Sequence, residues 1–383
     1  MRRPAVAAAA VVLALAAAAC GGDDSSSSTT TAAATASSGA EGSATTGAGG
    51  AGAAGGFPAE RCEQNEAAGT ITFLTSFDYA AAASIIDVVA AEDQGYFEAM
   101  CLDVKLQPGF SSTNVAAVSA NTAQMTSLGS FSEVAVANAQ GAELVAVAVE
   151  GHTSVEELLV KNEAGITDLK QLEGKKMGIK GAIPYSLRAL LAKAGVDETK
   201  ITQIEVDFNP VVLFETDIVA LPVYKSNEPG QLDANGYAGQ YTAFDPRDED
   251  IPASFAVFTT SKSFAEEHPT AVADFLRASL KGFEYANANP AEAVAASLER
   301  TDQNLFLSEA GETFRWDTER ELVTSSTPAG QAVGSIDAEA LQAELDALVS
   351  LGVLEEGEVD AAASIDSTFM DEITEDGELI WFG

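Results

Sequence analysis

Short strand-like and helix-like segments alternate along much of this chain. TITFLTS (70–76), AQMTSLG (123–129) and ELVAVAVEG (143–151) have the length and apolar character of buried strands. FSEVAVANAQG (131–141) lies between the last two and has the pattern of a helix that ends at a glycine. Because repeating strand–helix units cover both faces of a sheet, the order predicts an α/β fold with a parallel sheet and helices on both faces.

The same alternation restarts at VEELLVKN (155–162). SFAVFTTS (254–261) then has the pattern of a strand that returns toward the first half, and mainly helical segments follow it. This order predicts two lobes with a ligand cleft between them. We assign residues 57–154 and 254–383 to the first lobe and residues 155–253 to the second.

Two further segments have helical signals. AAAASIIDVVAAEDQGYFEA (80–99) is amphipathic, and Gly95 is expected to end its regular part. TDLKQLEG (167–174) begins with capping residues and ends at Gly174, so we expect a short capped helix there.

The first residues, MRRPAVAAAAVVLALAAAAC, have the build of a secretory signal, with two arginines, a short apolar stretch and small residues that end at Cys20. The stretch LAAAAC resembles the bacterial lipobox, which implies cleavage before Cys20 and acylation of this cysteine, so residues 1–20 are expected to be a lipoprotein signal. The alternative, a transmembrane anchor, needs a longer apolar stretch. Residues 21–56 contain only small and polar residues and predict a flexible tether. We therefore expect a protein held by lipid at the outer face of a bacterial cytoplasmic membrane.

The charge is strongly acidic, with 20 basic and 58 acidic residues and a formal net charge of -38. This balance disfavours a nucleic-acid or anionic-membrane partner. A solvated acidic surface that keeps an exported protein soluble explains it most simply. An anionic ligand would need strong local donors to offset this field.

Cysteine and histidine usage limits the chemistry. With Cys20 acylated, Cys62 and Cys101 remain as a pair in an oxidising compartment and predict one disulfide, with two free buried thiols as the alternative. His152 and His268 are far apart in the sequence, and no cysteine–histidine cluster occurs, so no metal site is expected. The sequence also contains no GxSxG motif and no phosphate-binding loop.

In open α/β sheets the ligand lies outside the carboxyl ends of the strands, where helix N-termini offer unpaired N–H groups. The stretch VALPVYKSNEPG (219–230) brings Tyr224 and Glu228 to such a strand end. There they suit a ring that carries N–H donors, although Tyr224 in the core and Glu228 as a helix cap is the alternative. The loops expected to face the cleft are 76–79, 109–114, 127–132, 180–186 and 224–228.

Several stretches resemble one family: the lipobox, the tether, AAEDQGYFEAMCLDVKLQPG (90–109), DLKQLEGKKMGIKG (168–181) and YKSNEP (224–229). Together they are similar to the periplasmic-type solute-binding proteins of ABC importers. The branch they resemble binds thiamine pyrimidine precursors, riboflavin, sulfonates or nitrate, and the likeness covers roughly residues 69–300. The resemblance implies two lobes that close on a small molecule, a membrane permease as partner, no cofactor and no catalysis. We expect a monomer.

Within that family, the precursor binders typically carry a Tyr and, four residues later, a Glu, which Tyr224 and Glu228 match together with the following Pro229. They also carry a Trp and, three residues later, an Asn, ahead of the GYF-like motif. Counted back from Gly95, Tyr79 falls at the Trp position and Ala82 at the Asn position, so one polar contact is missing.

The resemblance therefore implies a ring stacked between Tyr79 and Tyr224, with Glu228 accepting its N–H groups. A helix start would bind the polar or anionic tail, and a second one would close from the other lobe. Trp316 is a further candidate wall, with a core position as the alternative. The full set of expected ligand-binding residues is Tyr79, Ser111, Ser112, Thr113, Asn114, Ser130, Tyr185, Ser186, Tyr224, Asn227 and Glu228.

Three alternatives remain open. A sulfonate, taurine or nitrate binder suits the serine-rich helix starts, but Glu228 in the cleft would repel an anion. Riboflavin is a minor alternative. The fold family also includes a fungal pyrimidine-precursor synthase, which depends on an active-site histidine and a cysteine-rich motif, and this chain lacks that motif.

Overall fold

The structure is a computed structural model that describes residues 56–301 and 307–382. The predicted signal segment, Cys20 and the tether up to residue 55 lie outside these ranges. The strands of the described residues are β1 (Thr70–Leu74), β2 (Asp103–Gln107), β3 (Met125–Leu128), β4 (Leu144–Gly151), β5 (Glu156–Lys161), β6 (Lys176–Ile179), β7 (Thr202–Glu205), β8 (Ala220–Tyr224), β9 (Tyr241–Phe244), β10 (Phe255–Ser261), β11 (Thr374–Glu375) and β12 (Glu378–Leu379).

The helices of the same ranges cover the sheets and form the C-terminal part of the molecule. They are α1 (Ala59–Glu66), α2 (Ile86–Asp93), α3 (Tyr96–Ala99), α4 (Ser111–Ser119), α5 (Phe131–Ala139), α6 (Tyr185–Lys193), α7 (Val212–Glu215), α8 (Glu228–Ala234), α9 (Lys262–Glu267), α10 (Pro269–Ala288), α11 (Pro290–Arg300), α12 (Glu309–Ser326), α13 (Ala338–Ser350) and α14 (Thr368–Ile373). None of these helices is long and apolar enough to cross a membrane.

Two five-stranded sheets organise the molecule, in the orders β2-β1-β3-β10-β4 and β7-β6-β8-β5-β9. We call the part built on the first sheet lobe 1 and the part built on the second lobe 2. β10 follows the whole second sheet in sequence and yet pairs within the first. The predicted two-lobe α/β fold is confirmed.

Each sheet departs from the all-parallel arrangement that the sequence predicts. β10 is antiparallel to β3 and β4, and β5 is antiparallel to β8 and β9. β4 ends at Gly151 in the first sheet and β5 begins at Glu156 in the second, so the chain passes from lobe 1 to lobe 2 within a few residues. The two reversed strands are therefore the ones at the crossings: β5 is the first strand after the chain enters lobe 2, and β10 is the strand with which it returns to lobe 1.

The core of lobe 1 is built around α10, whose buried face packs against α2 and the first sheet. Phe275 stacks on Phe73 with ring centroids 5.5 Å apart. Gly282 lets α10 approach α2 closely, because a Cβ at this position would overlap the backbone of Asp87 and lie 2.9 Å from Ala91 N. The contact therefore requires glycine.

The predicted disulfide is present. Cys62 in α1 and Cys101, just after α3, are joined with a Cα–Cα distance of 5.2 Å. The bond ties the start of lobe 1 to the end of a nearby helix, as expected from the sequence.

Local differences from the sequence expectation have physical causes. The segment 80–99 is not one helix, because residues 80–85 form turns and Gly95 adopts a left-handed φ of 70° that separates α2 from α3. The segment 167–174 holds only a 3-10 turn at Leu169–Leu172, although Asp168 and Gln171 form the expected capping box. Trp316 is fully buried in lobe 1, so it belongs to the core and does not line the cleft.

Candidate functional site

Two neighbouring cavities, of about 260 Å³ and about 1210 Å³, lie between the lobes. They share lining residues from both sheets, among them Phe77 and Ser111 of lobe 1 and Glu156, Lys180 and Tyr224 of lobe 2. The smaller cavity is lined by residues of α8 and α12, and the larger one extends along α4, α5 and α6. Together they form the candidate ligand site.

The fold explains why these residues meet. The loops after β1, β3, β6 and β8 all reach the cleft, as the rule for α/β sheets predicts. Three of these loops lead into α5, α6 and α8, and the N-terminus of α4 also borders the larger cavity. Helix N-termini from both lobes thus face the same space, with their N–H ends toward a ligand.

Aromatic side chains line this space with unusual exposure. Phe208 is 57% exposed and Tyr224 is 43% exposed, although large apolar side chains are normally buried. Phe77 contacts Phe110 edge-on at 5.7 Å between ring centroids. The cleft therefore presents ring faces on which a flat ligand can stack.

Glu228 lies in the wall of the smaller cavity, and only 1% of its surface is exposed. Its Oε1 pairs with Lys180 Nζ, and its Oε2 accepts a hydrogen bond of 2.9 Å from the Tyr224 N–H. Glu228 is the first residue of α8, and these two contacts direct its side chain toward Lys180 and Tyr224. The carboxylate thus fixes the Tyr224 loop and competes with a ligand for Lys180.

The phenol of Tyr224 lies among carboxyl groups from both lobes. Desolvation raises its pKa well above the ordinary value, and four nearby carboxyl groups add to the effect. A negatively charged ligand group close to this phenol would be repelled by these carboxyl groups, whereas a ligand N–H group could donate a hydrogen bond to them. The four groups belong to Glu156, Glu133, Glu228 and Glu319.

Three carboxyl groups that line the larger cavity, those of Glu133, Glu156 and Glu344, form no ion pair among the described residues, although nearby Lys225 favours the charged form of Glu156. Burial raises the pKa of Glu133 to about 7 and that of Glu344 to about 7, and burial also raises the pKa of Glu156. Glu156 accepts hydrogen bonds from Ser186 Oγ at 2.6 Å and from Ser154 Oγ at 3.1 Å. The site can therefore accept hydrogen bonds at several points.

The cations of the cleft are already paired. Lys180 pairs with Glu228, Arg188 with Glu198 at 3.2 Å, and Arg315 with Glu312 at 3.2 Å. Arg315 also lies over the ring of Phe77, 5.8 Å from its centroid. A small oxyanion entering the cleft would have to displace one of these carboxylates.

The structure brings most of the sequence-predicted site residues to the cleft. Residues from the predicted helix starts, now α4 and α6, line the cleft, and so do both Tyr224 and Glu228. The residues that line one or both cavities are Ser111, Ser112, Ser130, Tyr185, Ser186, Tyr224, Asn227 and Glu228.

Three predicted residues lie elsewhere. Tyr79 does not line either cavity, and its hydroxyl donates to Leu106 O at 3.2 Å. Thr113 is exposed and bonds back to Phe110 O, as a residue in the first turn of a helix can. Asn114 is buried and donates to Thr75 O and Thr126 Oγ, both at 2.9 Å, so it holds the strand ends together.

Several lining residues were not singled out from the sequence. Phe77 occupies the aromatic position expected for Tyr79, since the turn at Asp78, with a φ of 47°, directs the two rings apart. Lys180 and Phe208 come from lobe 2. Phe77 and Lys180 lie in the predicted cleft loops 76–79 and 180–186, and this position is the signal that could have indicated them. Glu156, Arg315 and Glu319 complete this group.

A family model and curated relatives match this chain in sequence. The family model described as "NMT1/THI5 like" matches residues 82–293. The formylaminopyrimidine-binding protein of Halalkalibacterium halodurans is 26% identical over 223 residues, which cover 56% of this chain and 66% of that protein. The riboflavin-binding protein RibY of Chloroflexus aurantiacus is 30% identical over 143 residues, 36% of this chain and 40% of that protein. The match spans less than two thirds of each relative.

Solved structures share the fold at lower identity. The periplasmic aliphatic sulphonate binding protein SsuA from Escherichia coli superposes with a TM-score of 0.59 at 16% identity, covering 78% of this chain and 92% of that one. The desulfurization enzyme DSZB superposes with a TM-score of 0.53 at 15% identity, covering 79% and 98%. The chain thus has the periplasmic-binding-protein fold, which serves both binding and catalysis.

Proposed function

This chain belongs to the NMT1/THI5-like family, whose model matches more than half of it, and we propose on this basis that it is the extracytoplasmic substrate-binding component of an ABC importer. Its ligand is a small nitrogen heterocycle such as a thiamine pyrimidine precursor. One observation carries the choice of ligand: aromatic faces and carboxyl groups that can accept hydrogen bonds converge in a single cleft.

In the proposed complex the ring lies against Tyr224 and Phe77, which reach the smaller cavity from opposite lobes. Glu156 and Glu228 accept hydrogen bonds from its N–H groups. Glu228 shares its Oε1 with Lys180, so ligand binding loosens or replaces this ion pair. A hydrogen bond to a charged group contributes about 1.5–3 kcal/mol, enough to select a ligand with donors.

The polar or anionic tail of the ligand points into the larger cavity. There the N-terminus of α4, with Ser111 and Ser112, and the N-terminus of α6, with Ser186, supply N–H and hydroxyl donors. Closure of the two lobes buries the ligand, and the closed form is the one that a permease recognises.

A sulfonate, taurine or nitrate ligand is the second candidate, because serine-bearing helix starts are suitable oxyanion donors. The carboxyl groups of Glu133, Glu156 and Glu344 line the larger cavity and oppose it wherever they are ionised, which for Glu133 and Glu344 means above a pKa of about 7. A flavin is a further alternative, supported by the similarity to RibY and by the 1210 Å³ volume of the larger cavity.

The location of the protein is part of the proposal. An acylated Cys20 and the tether would keep the two lobes at the outer face of the cytoplasmic membrane, beside the permease. Both features lie outside the described residues and derive from the sequence alone. We propose that the protein acts as a monomer without a cofactor and without catalytic activity.

A thermal-shift panel tests the ligand class, because a bound ligand stabilises the folded state by mass action. The panel contains hydroxymethyl- and formylamino-pyrimidines, thiamine, riboflavin, taurine, an alkanesulfonate and nitrate. We expect a shift with a pyrimidine or a flavin that Glu156→Gln and Glu228→Gln reduce.

Glu215→Gln is the matched control, since it removes the same charge from an exposed position in lobe 2 away from the cavities. It should leave the shift unchanged. Stabilisation by sulfonates or nitrate alone, unaffected by the two cleft variants, would refute the heterocycle assignment.

A further inference from the structure

One face of α12 connects the two lobes. Glu312, Arg315 and Glu319 are three and four residues apart, so they lie on the same side of the helix. All three are buried. Buried charged side chains are retained only where partners satisfy them, so their partners indicate what the face does.

The face is fixed to lobe 1. Glu312 Oε2 accepts a hydrogen bond of 2.7 Å from the Ala81 N–H, and Glu319 Oε2 accepts one of 2.8 Å from the Ala83 N–H. On the same helix, the buried Trp316 donates from Nε1 to Ala286 O at 3.1 Å. These bonds make α12 move as a part of lobe 1.

The same face also holds lobe 2. Glu319 Oε1 accepts a hydrogen bond of 2.6 Å from Ser226 Oγ, and Arg315 Nη2 donates to Asn227 Oδ1 at 3.0 Å. The ring of Phe314 packs on Gly230 of α8, where a Cβ would lie 2.6 Å from the ring. Three neighbouring positions of α12 thus contact the segment from residue 226 to residue 230.

This segment carries the proposed ligand contacts. Ser226 and Asn227 lie between Tyr224 and Glu228, so whatever holds them sets the position of both site residues. The carboxylate of Glu319 has one oxygen bonded to each lobe. Separation of the lobes would exchange the bond between Ser226 and Oε1 for contact with water, so the closed arrangement keeps the net advantage of a hydrogen bond to a charged group.

We propose that Arg315 and Glu319 are positioning residues that form an interlobe latch. Through Ser226 and Asn227 they hold the Tyr224–Glu228 loop against lobe 1, in the arrangement that the ligand requires. The inference rests on the proposed function for its purpose, but the latch itself is a property of the two lobes and can be measured without any ligand.

The test uses the distance between the lobes. Spin labels attached through Glu266→Cys on α9 of lobe 1 and Glu163→Cys in lobe 2 occupy exposed positions, and double electron–electron resonance gives their distance distribution. Ser226→Ala removes one hydroxyl and breaks the lobe 2 arm of the latch, while the bond from Ala83 remains. Without ligand, the ratio of closed to open protein should fall by about tenfold or more.

Three variants separate positioning from a general loss of stability. Ser279→Ala removes a buried hydroxyl that bonds within α10, to Phe275 O, and should leave the distance distribution unchanged. Glu319→Gln should also remain close to the original protein, because its oxygen can accept from Ala83 and its amide can donate to Ser226 Oγ. Glu319→Leu removes both bonds and should open the lobes.

An unchanged distribution in Ser226→Ala would overturn the latch, as would equal opening in Ser279→Ala. If Ser226→Ala fails to fold, Asn227→Ala replaces it, because this variant removes the hydrogen bond between Arg315 and Asn227. An unchanged distance distribution in Asn227→Ala would then overturn the latch. Addition of a formylamino-pyrimidine distinguishes the latch from the function. If it leaves the distances of all variants unchanged while Ser226→Ala still opens the lobes, the latch stands and this heterocycle is not the ligand.

Discussion

Replacement of Glu344 by glutamine gives a sharp test of the cleft electrostatics. Glu344 is buried at the edge of the larger cavity, and burial raises its pKa from 4.5 to about 7. Its Oε1 accepts from the N–H and the hydroxyl of Ser132, and its Oε2 accepts from Ser254 Oγ at 2.8 Å. A glutamine can keep these contacts without the charge, since its amide can donate to Ser254.

The raised pKa of Glu344 determines the direction in which the free energy of unfolding changes with pH. The folded protein binds the proton of Glu344 more tightly than the unfolded chain does, so this stabilisation is complete below pH 4.5 and is lost as the pH rises through about 7. The difference corresponds to about 3 kcal/mol. Glu344→Gln should therefore raise the free energy of unfolding by up to this amount at pH 8 and change it little at pH 4.5.

Urea unfolding at the two pH values measures the effect. Glu339→Gln is the control, because Glu339 lies on the same helix and is exposed, so its loss should change stability by only a few tenths of a kcal/mol. Equal stability of Glu344→Gln and the original protein at pH 8 would refute the account of a buried carboxylate without a cation.

Three further predictions concern the fold and the anchor. Replacement of Cys62 and Cys101 by alanine should lower the free energy of unfolding by about 4 kcal/mol, because the disulfide spans 39 residues, and equal urea midpoints would contradict this. Gly282→Ala should destabilise the protein by about 1–3 kcal/mol or more, since the added Cβ meets the backbone of α2, and thermal unfolding measures it. Cys20→Ala should release the protein from the membrane fraction, and continued attachment would contradict the lipid anchor.

The lobe architecture could be predicted because its signals are local. Apolar runs of strand length, glycine at helix ends and the strand at 254–261 after the second lobe are all readable along the sequence. The reversal of β5 and β10 was missed, because strand direction depends on pairing with strands that lie far away in the sequence.

The candidate site was predictable only in part. Tyr224 and Glu228 come from a single strand end, and sequence spacing identifies them. Counting along the chain selected Tyr79, but left-handed turns at Asp78 and Ser84 change the direction of the chain there, and Phe77 enters the cleft instead. No local pattern predicts such a turn at non-glycine residues.

The contribution of α12 depends on distant pairing. Arg315 and Asn227 are 88 residues apart, and Glu319 and Ser226 are 93 residues apart. In the sequence Arg315 and Glu319 have the ordinary spacing of an ion pair on a solvated helix. Arg315 and Glu319 reach the segment 224–228 only because α12 lies between the lobes in the folded structure.

Calorimetric titration of the protein and of Tyr224→Ala with a hydroxymethylpyrimidine, a formylaminopyrimidine, riboflavin and taurine tests the central claim most directly. We expect one of the heterocycles to bind with one site per chain and Tyr224→Ala to weaken it by about tenfold, because stacking and burial of the ring are lost. Binding of taurine without any heterocycle, or heterocycle binding that Tyr224→Ala leaves unchanged, would contradict the assignment of the cleft.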